Sequence, residues 1–204
     1  MAEFPSVAEA LERLHREMRV CRRCMEEGFC AVPEAVFSGP PSAWIMIVGQ
    51  APGSTECETG RPFNGPSGTR LFEWLAEAGW DEASFRATQY MTAITKCYPG
   101  RAPSGKGDRA PSRAEQNLCA PFLGRELELV DPEVIVPVGS LSVRRFVGRV
   151  RLSDVVGEVI EKDGRTIVPL PHPSGVNLWL NRPENQDRVK RALCQLRELR
   201  QERD

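Results

Sequence analysis

The sequence predicts an α/β protein, built as a single three-layer α/β/α domain with a mostly parallel central sheet of about four strands. Short apolar runs alternate with segments of helical periodicity, which is the pattern of a parallel sheet covered by helices. The run Glu133–Val138 is continuously apolar from Val134 apart from Pro137, as expected of a strand buried on both faces. A chain of 204 residues can bury one large core, so residues 1–204 are expected to form one domain.

The first half of the chain is predicted as helix, strand, long loop, helix and strand. Val7–Val20 has the apolar spacing of an amphipathic helix, and Ser6 is a suitable N-cap. The next predicted elements are a strand at 44–48, a helix at 69–78 and a strand at 89–95. Gly79 follows the second helix as a C-cap.

The second half begins with a helix that Ser112 and Glu115 open as a capping box and that reaches about Val130. The strand at 133–138 leads into a helix from about 140 to 147. Residues 155–160 and 166–170 are predicted as a hairpin around Asp163-Gly164, or as one edge strand and one core strand. Pro183 lies near the start of the last helix.

Composition and charge bound the function only loosely. With 41% apolar and 27% charged residues the chain resembles an ordinary soluble protein, and its net charge of −1 gives no bulk indication of nucleic acid. Four basic residues do cluster in one Gly/Pro-rich segment, for which charge alone favours a solvated loop. They are Arg101, Lys106, Arg109 and Arg113.

No membrane partner is expected, because no apolar run approaches the roughly 20 residues of a membrane helix. Residues 1–18 are charged throughout and lack the apolar core of a signal peptide. We therefore expect a cytoplasmic protein.

The segment Gly49–Gly68, GQAPGSTECETGRPFNGPSG, is the first candidate for a binding site. It follows a predicted strand, and ligands of open α/β sheets gather at the carboxyl ends of strands. Its glycines permit tight turns and close backbone approach to a ligand. A loop of this length is rarely kept in a compact domain without a function, so we expect it to form the floor of an active site.

The seven cysteines of a protein expected in the cytoplasm indicate a metal site rather than disulfides. Cys21 and Cys24 form a CxxC pair, and Cys97 and Cys119 bracket the basic loop. Four thiolates suit either tetrahedral zinc or a [4Fe–4S] cluster. Cys30 competes for a ligand position, and Cys97 and Cys119 as small core residues are the simpler alternative.

Taken together, the motifs resemble the uracil-DNA glycosylase superfamily, and most closely its iron–sulfur families 4 and 5. They occur in the order CxxC, G-x-A/G-P-G, T-G-R-P-F-x-G, K/R-C-x-P, a later Cys, and H-P-S. Here they are Cys21/Cys24, Gly49–Gly53, Thr59–Gly65, Lys96–Pro99, Cys119 and His172–Ser174. Each motif is weak alone, whereas their common order over nearly the whole chain is a strong signal.

The resemblance implies an enzyme that flips a damaged base out of DNA before cutting its glycosidic bond. Phe63 is the implied stacking face, and the backbone at Gln50 and Ala51 the implied donor to the base. His172 would stabilise the departing base as an anion. Ala93 stands where family 4 reads the pairing edge with Asn.

The resemblance also implies a [4Fe–4S] cluster on the four cysteines Cys21, Cys24, Cys97 and Cys119. Such a cluster would clamp the N-terminal helix and the CxxC segment, residues 5–30, onto the domain. The segment Ser174, Gly175, Val176 and Asn177 is the implied loop inserted into the DNA groove. In the basic loop, Lys106 and Arg109 are the expected DNA contacts.

The chain lacks the acidic residues that the families of this superfamily carry in these motifs. Gln50 replaces the Glu of family 4, Ala51 the Asp of family 1, and the region of Asn64 lacks the Asp of family 5. The neutral amides of Gln50 and Asn64 are left as candidates to orient water, because an amide cannot act as a general base. The local carboxylates are Glu56 and Glu58, for which a surface role is favoured.

Uracil is the favoured substrate, and a monomer is expected. One alternative is a DNA-binding member with weak or altered base specificity, for hypoxanthine or xanthine, or without glycosylase activity. A second is a cysteine hydrolase with Cys57 as nucleophile and His172 as base. A purely redox role for the cluster is the third.

Overall fold

A computed structural model describes residues 5–29, 32–105 and 107–203; Cys30 and Lys106 lie outside these ranges. The central sheet of the described residues has five strands in the order β2-β1-β3-β5-β4. Their bounds are β1 Ile45–Gly49, β2 Tyr90–Ala93, β3 Val134–Pro137, β4 Ile160–Lys162 and β5 Arg165–Ile167. β4 alone pairs antiparallel, at the edge, so the predicted α/β class with a mostly parallel sheet is confirmed.

Helices cover both faces of this sheet. In the described ranges they are α1 Val7–Val20, α2 Arg23–Glu26, α3 Ser54–Thr59, α4 Pro66–Glu77, α5 Glu82–Thr88, α6 Arg113–Val130, α7 Ser140–Phe146, α8 Leu152–Val155 and α9 Pro183–Gln201. A short 3-10 helix, Leu178–Asn181, precedes α9. None of the helices in this part of the chain combines the length and apolar character needed to cross a bilayer.

The strands divide their side chains between two hydrophobic cores, which makes the fold three-layered. Ile45 and Ile47 of β1 point into the core formed with α4, α5 and α9. Met46 and Val48 point the other way, toward α1 and α6. This alternation follows from the two-residue period of a strand. It explains why β1 reads as a continuous apolar run.

The predicted helix starts at Ser6 and Ser112 are confirmed, each as a capping box with the Glu three residues later. The predicted strand at 155–160 is wrong over most of its length, because Val155 ends α8 and the chain then turns. Gly157 makes that turn with φ of 90°, and a Cβ there would lie 2.9 Å from the backbone oxygen of Arg188 in α9.

Helices α3 and α5 were not predicted, and α4 begins at Pro66 rather than at 69. The long loop at 49–68 is therefore partly helical. Helix α5 is short and buries only Phe85, so it has no apolar periodicity to detect. Its N-cap is local, since the Asp81 carboxylate accepts a hydrogen bond from the amide of Ser84 at 2.9 Å.

A buried polar network joins α6 to β2 in the core beside α1. Lys96 and Glu126 form an ion pair with 2.5 Å between Nζ and Oε2, and their side chains are 2% and 0% exposed. Tyr90 and Thr92 donate hydroxyl hydrogen bonds to Glu126 Oε1 at 3.1 and 2.9 Å. His15 of α1 extends the network, with its Nε2 2.8 Å from the Tyr90 hydroxyl.

We expect His15 to make the protein sensitive to acid. Burial, helped by the charge of Arg19, lowers the pKa of His15 from 6.5 to about 4. The unfolded chain therefore binds a proton that the folded protein does not, so stability falls as the pH falls from about 6.5 to about 4. Discounted for partial exposure, this loss is about 1–2 kcal/mol.

The substitution His15→Gln should remove that part of the pH dependence. The measurement is the free energy of unfolding of both proteins at pH 7 and pH 4.5. Equal losses in the two proteins would contradict the assignment.

Candidate active site

A cleft of about 560 Å³ opens at the carboxyl ends of the parallel strands. Its walls come from the segments that follow β1, β3 and β5, together with the start of α4 and the basic loop. A parallel bridge between Val138 and Leu170 extends the sheet on this side. It brings His172 beside Gly139, where an added Cβ would lie 3.4 Å from the His172 side chain. Residues 49–56, 63 and 65–67 of the predicted loop at 49–68 line this cleft.

The surroundings of His172 favour its neutral form. Burial lowers its pKa, and the negative charge of Glu56 offsets this only in part. The amide of Ser174 donates to His172 Nδ1 at 3.3 Å. In a neutral imidazole one nitrogen accepts and the other carries the proton, so this contact assigns the proton to Nε2.

Phe63 lies over the end of β1 with a left-handed backbone, at φ of 51°. A Cβ on Gly49 would be 3.2 Å from Cζ of the Phe63 ring, so the ring lies directly against the strand end. A Cβ on Gly68 would be only 1.9 Å from the carbonyl oxygen of Phe63. The backbone of Phe63 therefore leaves no room for a side chain at Gly68, whereas at Gly49 the ring would have to shift by a few tenths of an ångström.

Gly68→Ala is expected to destabilise the protein although alanine is the better helix former. The new methyl group meets backbone, which has to shift, at a typical cost of about 1–3 kcal/mol. Gly124→Ala is the matched control, because a Cβ on that helical glycine of α6 meets nothing within 4 Å. The control should gain about 0.5–1 kcal/mol. Thermal unfolding midpoints decide, and equal midpoints for the two variants would contradict the steric argument.

Gln50 and Ala51 line the cleft as expected, while Ala93 lines a smaller pocket beside it. That pocket measures about 40 Å³ and is shared with Ala51 and Phe63. The sheet brings these positions together, since Gly49 pairs with Ala93 in the β1–β2 register. Asn64 does not line the cleft, and its amide donates to Thr59 Oγ1 at 3.3 Å on the exposed side.

Glu56 is the carboxylate whose place in the cleft the sequence did not reveal. Its oxygens accept hydrogen bonds from the amides of Gly53 at 3.0 Å and Gly65 at 3.3 Å. It therefore ties the start of α3 to the start of α4 across the cleft floor. Glu58 is exposed and takes no part in the lining.

The segment predicted to enter the DNA groove forms the rim of the cleft. Val176 is 86% exposed, and Leu178, which the sequence did not single out, is 77% exposed. Asn177 shapes this turn, because its amide donates to the His172 carbonyl at 2.7 Å and its oxygen accepts from the Trp179 amide at 3.2 Å. Ser174 lines the cleft, and Gly175 is exposed.

Arg109 lines the cleft, but its guanidinium is committed to the protein. It forms a fork with both oxygens of Glu115, at 2.7 and 2.8 Å, and also donates to the carbonyl of Phe29 at 2.8 Å. Burial alone raises the pKa of Glu115, and the bonds from Arg109 and Ser112 outweigh it to give a lowered pKa. The contacts favour an anchoring role for Arg109 over a phosphate contact.

The four predicted cysteine ligands line one pocket on the α1–α6 side of the sheet. They are Cys21, Cys24, Cys97 and Cys119. In the part of the chain described, no three Cys, His, Asp or Glu side chains are arranged to hold a single metal ion. A donor set of four thiols suits either one tetrahedral zinc ion or a [4Fe–4S] cluster.

Comparison with known proteins identifies the family to which the chain is similar. The model of the uracil DNA glycosylase superfamily matches residues 36–197. The type-4 uracil-DNA glycosylase of Thermotoga maritima is 35% identical over 133 residues, 64% of each chain. That of Sulfurisphaera tokodaii is 33% identical over 138 residues, 67% of this chain but 57% of the relative. Both alignments thus span less than two thirds of the relative's length.

A third relative, the type-4 uracil-DNA glycosylase of Archaeoglobus fulgidus, is 31% identical over 202 residues, and the alignment covers 94% of both chains. The superfamily match itself begins before β1 and ends within α9, so it includes the elements that build the cleft. On these grounds the chain belongs to the uracil DNA glycosylase superfamily.

Proposed function

We propose that the protein is a monofunctional DNA glycosylase of base excision repair, which flips a deaminated base, uracil above all, out of DNA and hydrolyses its N-glycosidic bond. The observation that carries this proposal is the meeting of Phe63, the Gln50–Ala51 backbone and His172 around one cleft. The cleft volume of about 560 Å³ is within the range of small-molecule sites. Three relatives named type-4 uracil-DNA glycosylases support the same activity.

In the proposed mechanism Phe63 stacks on the flipped base, an interaction worth roughly 1–3 kcal/mol. The backbone at Gln50 and Ala51 binds the base edge, and Ala93 leaves room beside it. Because Ala93 offers no side-chain hydrogen bond, the base preference is set mainly by the backbone donors. Exposed Val176 fills the gap left in the base stack.

His172 supplies the main electrostatic contribution. As the glycosidic bond breaks, negative charge develops on the base, and the Nε2 proton of His172 stabilises it. A neutral donor suits this role because its other nitrogen is already occupied by the Ser174 amide. No proton needs to leave His172 for this stabilisation to act.

Water activation is the step for which the chain lacks the acid of its relatives. Gln50 is the cleft-lining amide that orients the water, since Asn64 lies outside the cleft. Among the described residues, Glu56 is the carboxylate that lines both the cleft and the smaller pocket. Its negative charge would stabilise the positive charge that develops on the sugar.

We further propose that Cys21, Cys24, Cys97 and Cys119 hold a [4Fe–4S] cluster. The cluster is structural in this proposal, and it ties the end of α1 to the segment after β2 and to α6. The amide of Lys96 already donates to Cys119 Sγ at 3.4 Å, a contact typical of cluster-binding thiolates. DNA is the proposed partner; the monomeric state and the cytoplasmic location stay predictions.

The test is an excision panel on the purified protein. Uracil, hypoxanthine, xanthine and thymine are placed in single strands and opposite each normal base. We expect uracil to be removed fastest. A panel without any excision, combined with binding to the same DNA, would favour the inactive DNA-binding alternative. Excision that survives Cys57→Ala excludes the cysteine hydrolase.

The same preparation tests the cluster. A brown protein with broad absorbance near the blue edge of the visible is expected of a [4Fe–4S] cluster. A colourless protein with one equivalent of zinc would overturn the cluster proposal and leave the fold unaffected.

A further inference from the structure

Behind the aromatic face of the cleft, the guanidinium of Arg86 binds the carbonyls of the two consecutive peptide groups that flank Phe63. Nη1 donates to the carbonyl of Pro62 at 2.7 Å, and Nη2 donates to the carbonyl of Phe63 at 2.9 Å. The third donor, Nε, contacts Glu82 at 2.8 Å. The guanidinium also lies 4.2 Å from the centre of the Phe72 ring, and the side chain is only 10% exposed.

The aromatic residue needs such support for two reasons. Its left-handed backbone, at φ of 51°, is strained for a residue with a bulky side chain. Packing also encloses it incompletely, because Phe63 lines both the cleft and an outer depression of about 370 Å³ beside Phe72 and Trp80. A ring between two open spaces has to be oriented through its own backbone.

We propose that Arg86 is a positioning residue that sets the angle of Phe63 for stacking on the flipped base. The inference rests on the proposed function for its catalytic consequence and on geometry alone for the clamp. Two parallel N–H groups fix both the distance and the orientation of the two carbonyls, which the single point charge of a lysine does not. Arg86 itself is not among the residues that line the cleft.

The clamp is tested first without reference to activity, by hydrogen exchange of the amides of residues 63–65, which lie between Pro62 and Pro66. Arg86→Met should speed exchange in this segment by at least about tenfold, the equivalent of one lost charge-assisted hydrogen bond. Glu82→Gln is the matched control, since it weakens the ion pair of Arg86 but keeps both carbonyl contacts. Unchanged exchange in Arg86→Met would overturn the proposal.

The catalytic consequence is tested by a double-mutant cycle with single-turnover excision of uracil. Arg86→Met should slow excision by about 10- to 100-fold, as expected when a contact residue is misplaced. In a Phe63→Ala background the same change should add less than about twofold, because the residue being positioned is gone. Arg86→Lys should recover only part of the rate.

Two outcomes separate the inference from the function on which it rests. Additive effects of Arg86→Met and Phe63→Ala would mean that Arg86 acts on something else, which overturns the positioning role. If the unmodified protein removes no uracil, the proposed function fails, while faster exchange at residues 63–65 in Arg86→Met still establishes the clamp.

Discussion

Replacing His172 by alanine is expected to lower the rate of uracil excision by more than about 100-fold, the usual cost of one preorganised donor to a developing anion. The loss should appear in the single-turnover rate, with little change in the affinity for DNA. The reason is that the negative charge on the base, which the Nε2 proton stabilises, develops only as the glycosidic bond breaks. A donor of this kind lowers the barrier and contributes little to the ground state.

The other histidine of the chain is the natural control. His15 lies in the core beside α1, on the far side of the sheet from α4, and is not among the residues that line the cleft. His15→Gln should leave excision at pH 7.5 within about twofold, as expected of a residue without contact to the reacting atoms. If His172→Ala keeps more than a third of the unmodified rate, His172 is not the main electrostatic group.

The second large effect is expected on stability, from Lys96→Met. The Nζ group donates to Thr92 Oγ1 at 2.7 Å and to the Ala93 carbonyl at 2.6 Å, besides pairing with Glu126. Removing it leaves a fully buried carboxylate without its counter-charge, a loss of about 3–5 kcal/mol. For a domain of this size the unfolding midpoint should fall by about 10 °C.

Lys190→Met provides the comparison, because its ion pair with Asp187 is exposed, at 69% and 62%. A surface pair of this kind contributes about 0–1 kcal/mol. The double variant with both Lys96 and Glu126 changed to Met should be more stable than Lys96→Met alone, since no buried charge remains unpaired. Equal midpoints for Lys96→Met and Lys190→Met would contradict the argument.

The hydrophobic pattern was sufficient to predict the frame of the fold. The run from Ile45 to Val48 and the run after Glu133 read as buried strands because both faces of the sheet are covered. Ser112 and Glu115 predicted the start of α6 because a capping box is a contact between residues close in the sequence. The pattern failed at 155–160, where Val155 and Val156 are buried from a helical turn and not from a strand.

The site was predictable only where motifs carried it. Phe63 and His172 came from the resemblance, and both line the cleft. Glu56 and Glu58 are indistinguishable in the sequence, although the fold turns Glu56 inward, partly through the Gly65 amide nine residues later in the chain. The contact between Arg86 and Phe63 spans 23 residues, and no local signal announces it.

The basic loop next to the cleft is built as a small hairpin closed at its base. The Arg109 amide donates to the Gly100 carbonyl and the Ala102 amide to the Gly107 carbonyl, both at 3.0 Å. Below this base the fork between Arg109 and Glu115 fixes the loop to α6. Insertions and deletions beyond the Ala102–Gly107 bond would therefore be absorbed at the tip. Loop grafts intended to change the DNA preference of the protein should therefore begin at Ala102 and end at Gly107. Such grafts leave the cysteine pocket and the cleft unchanged.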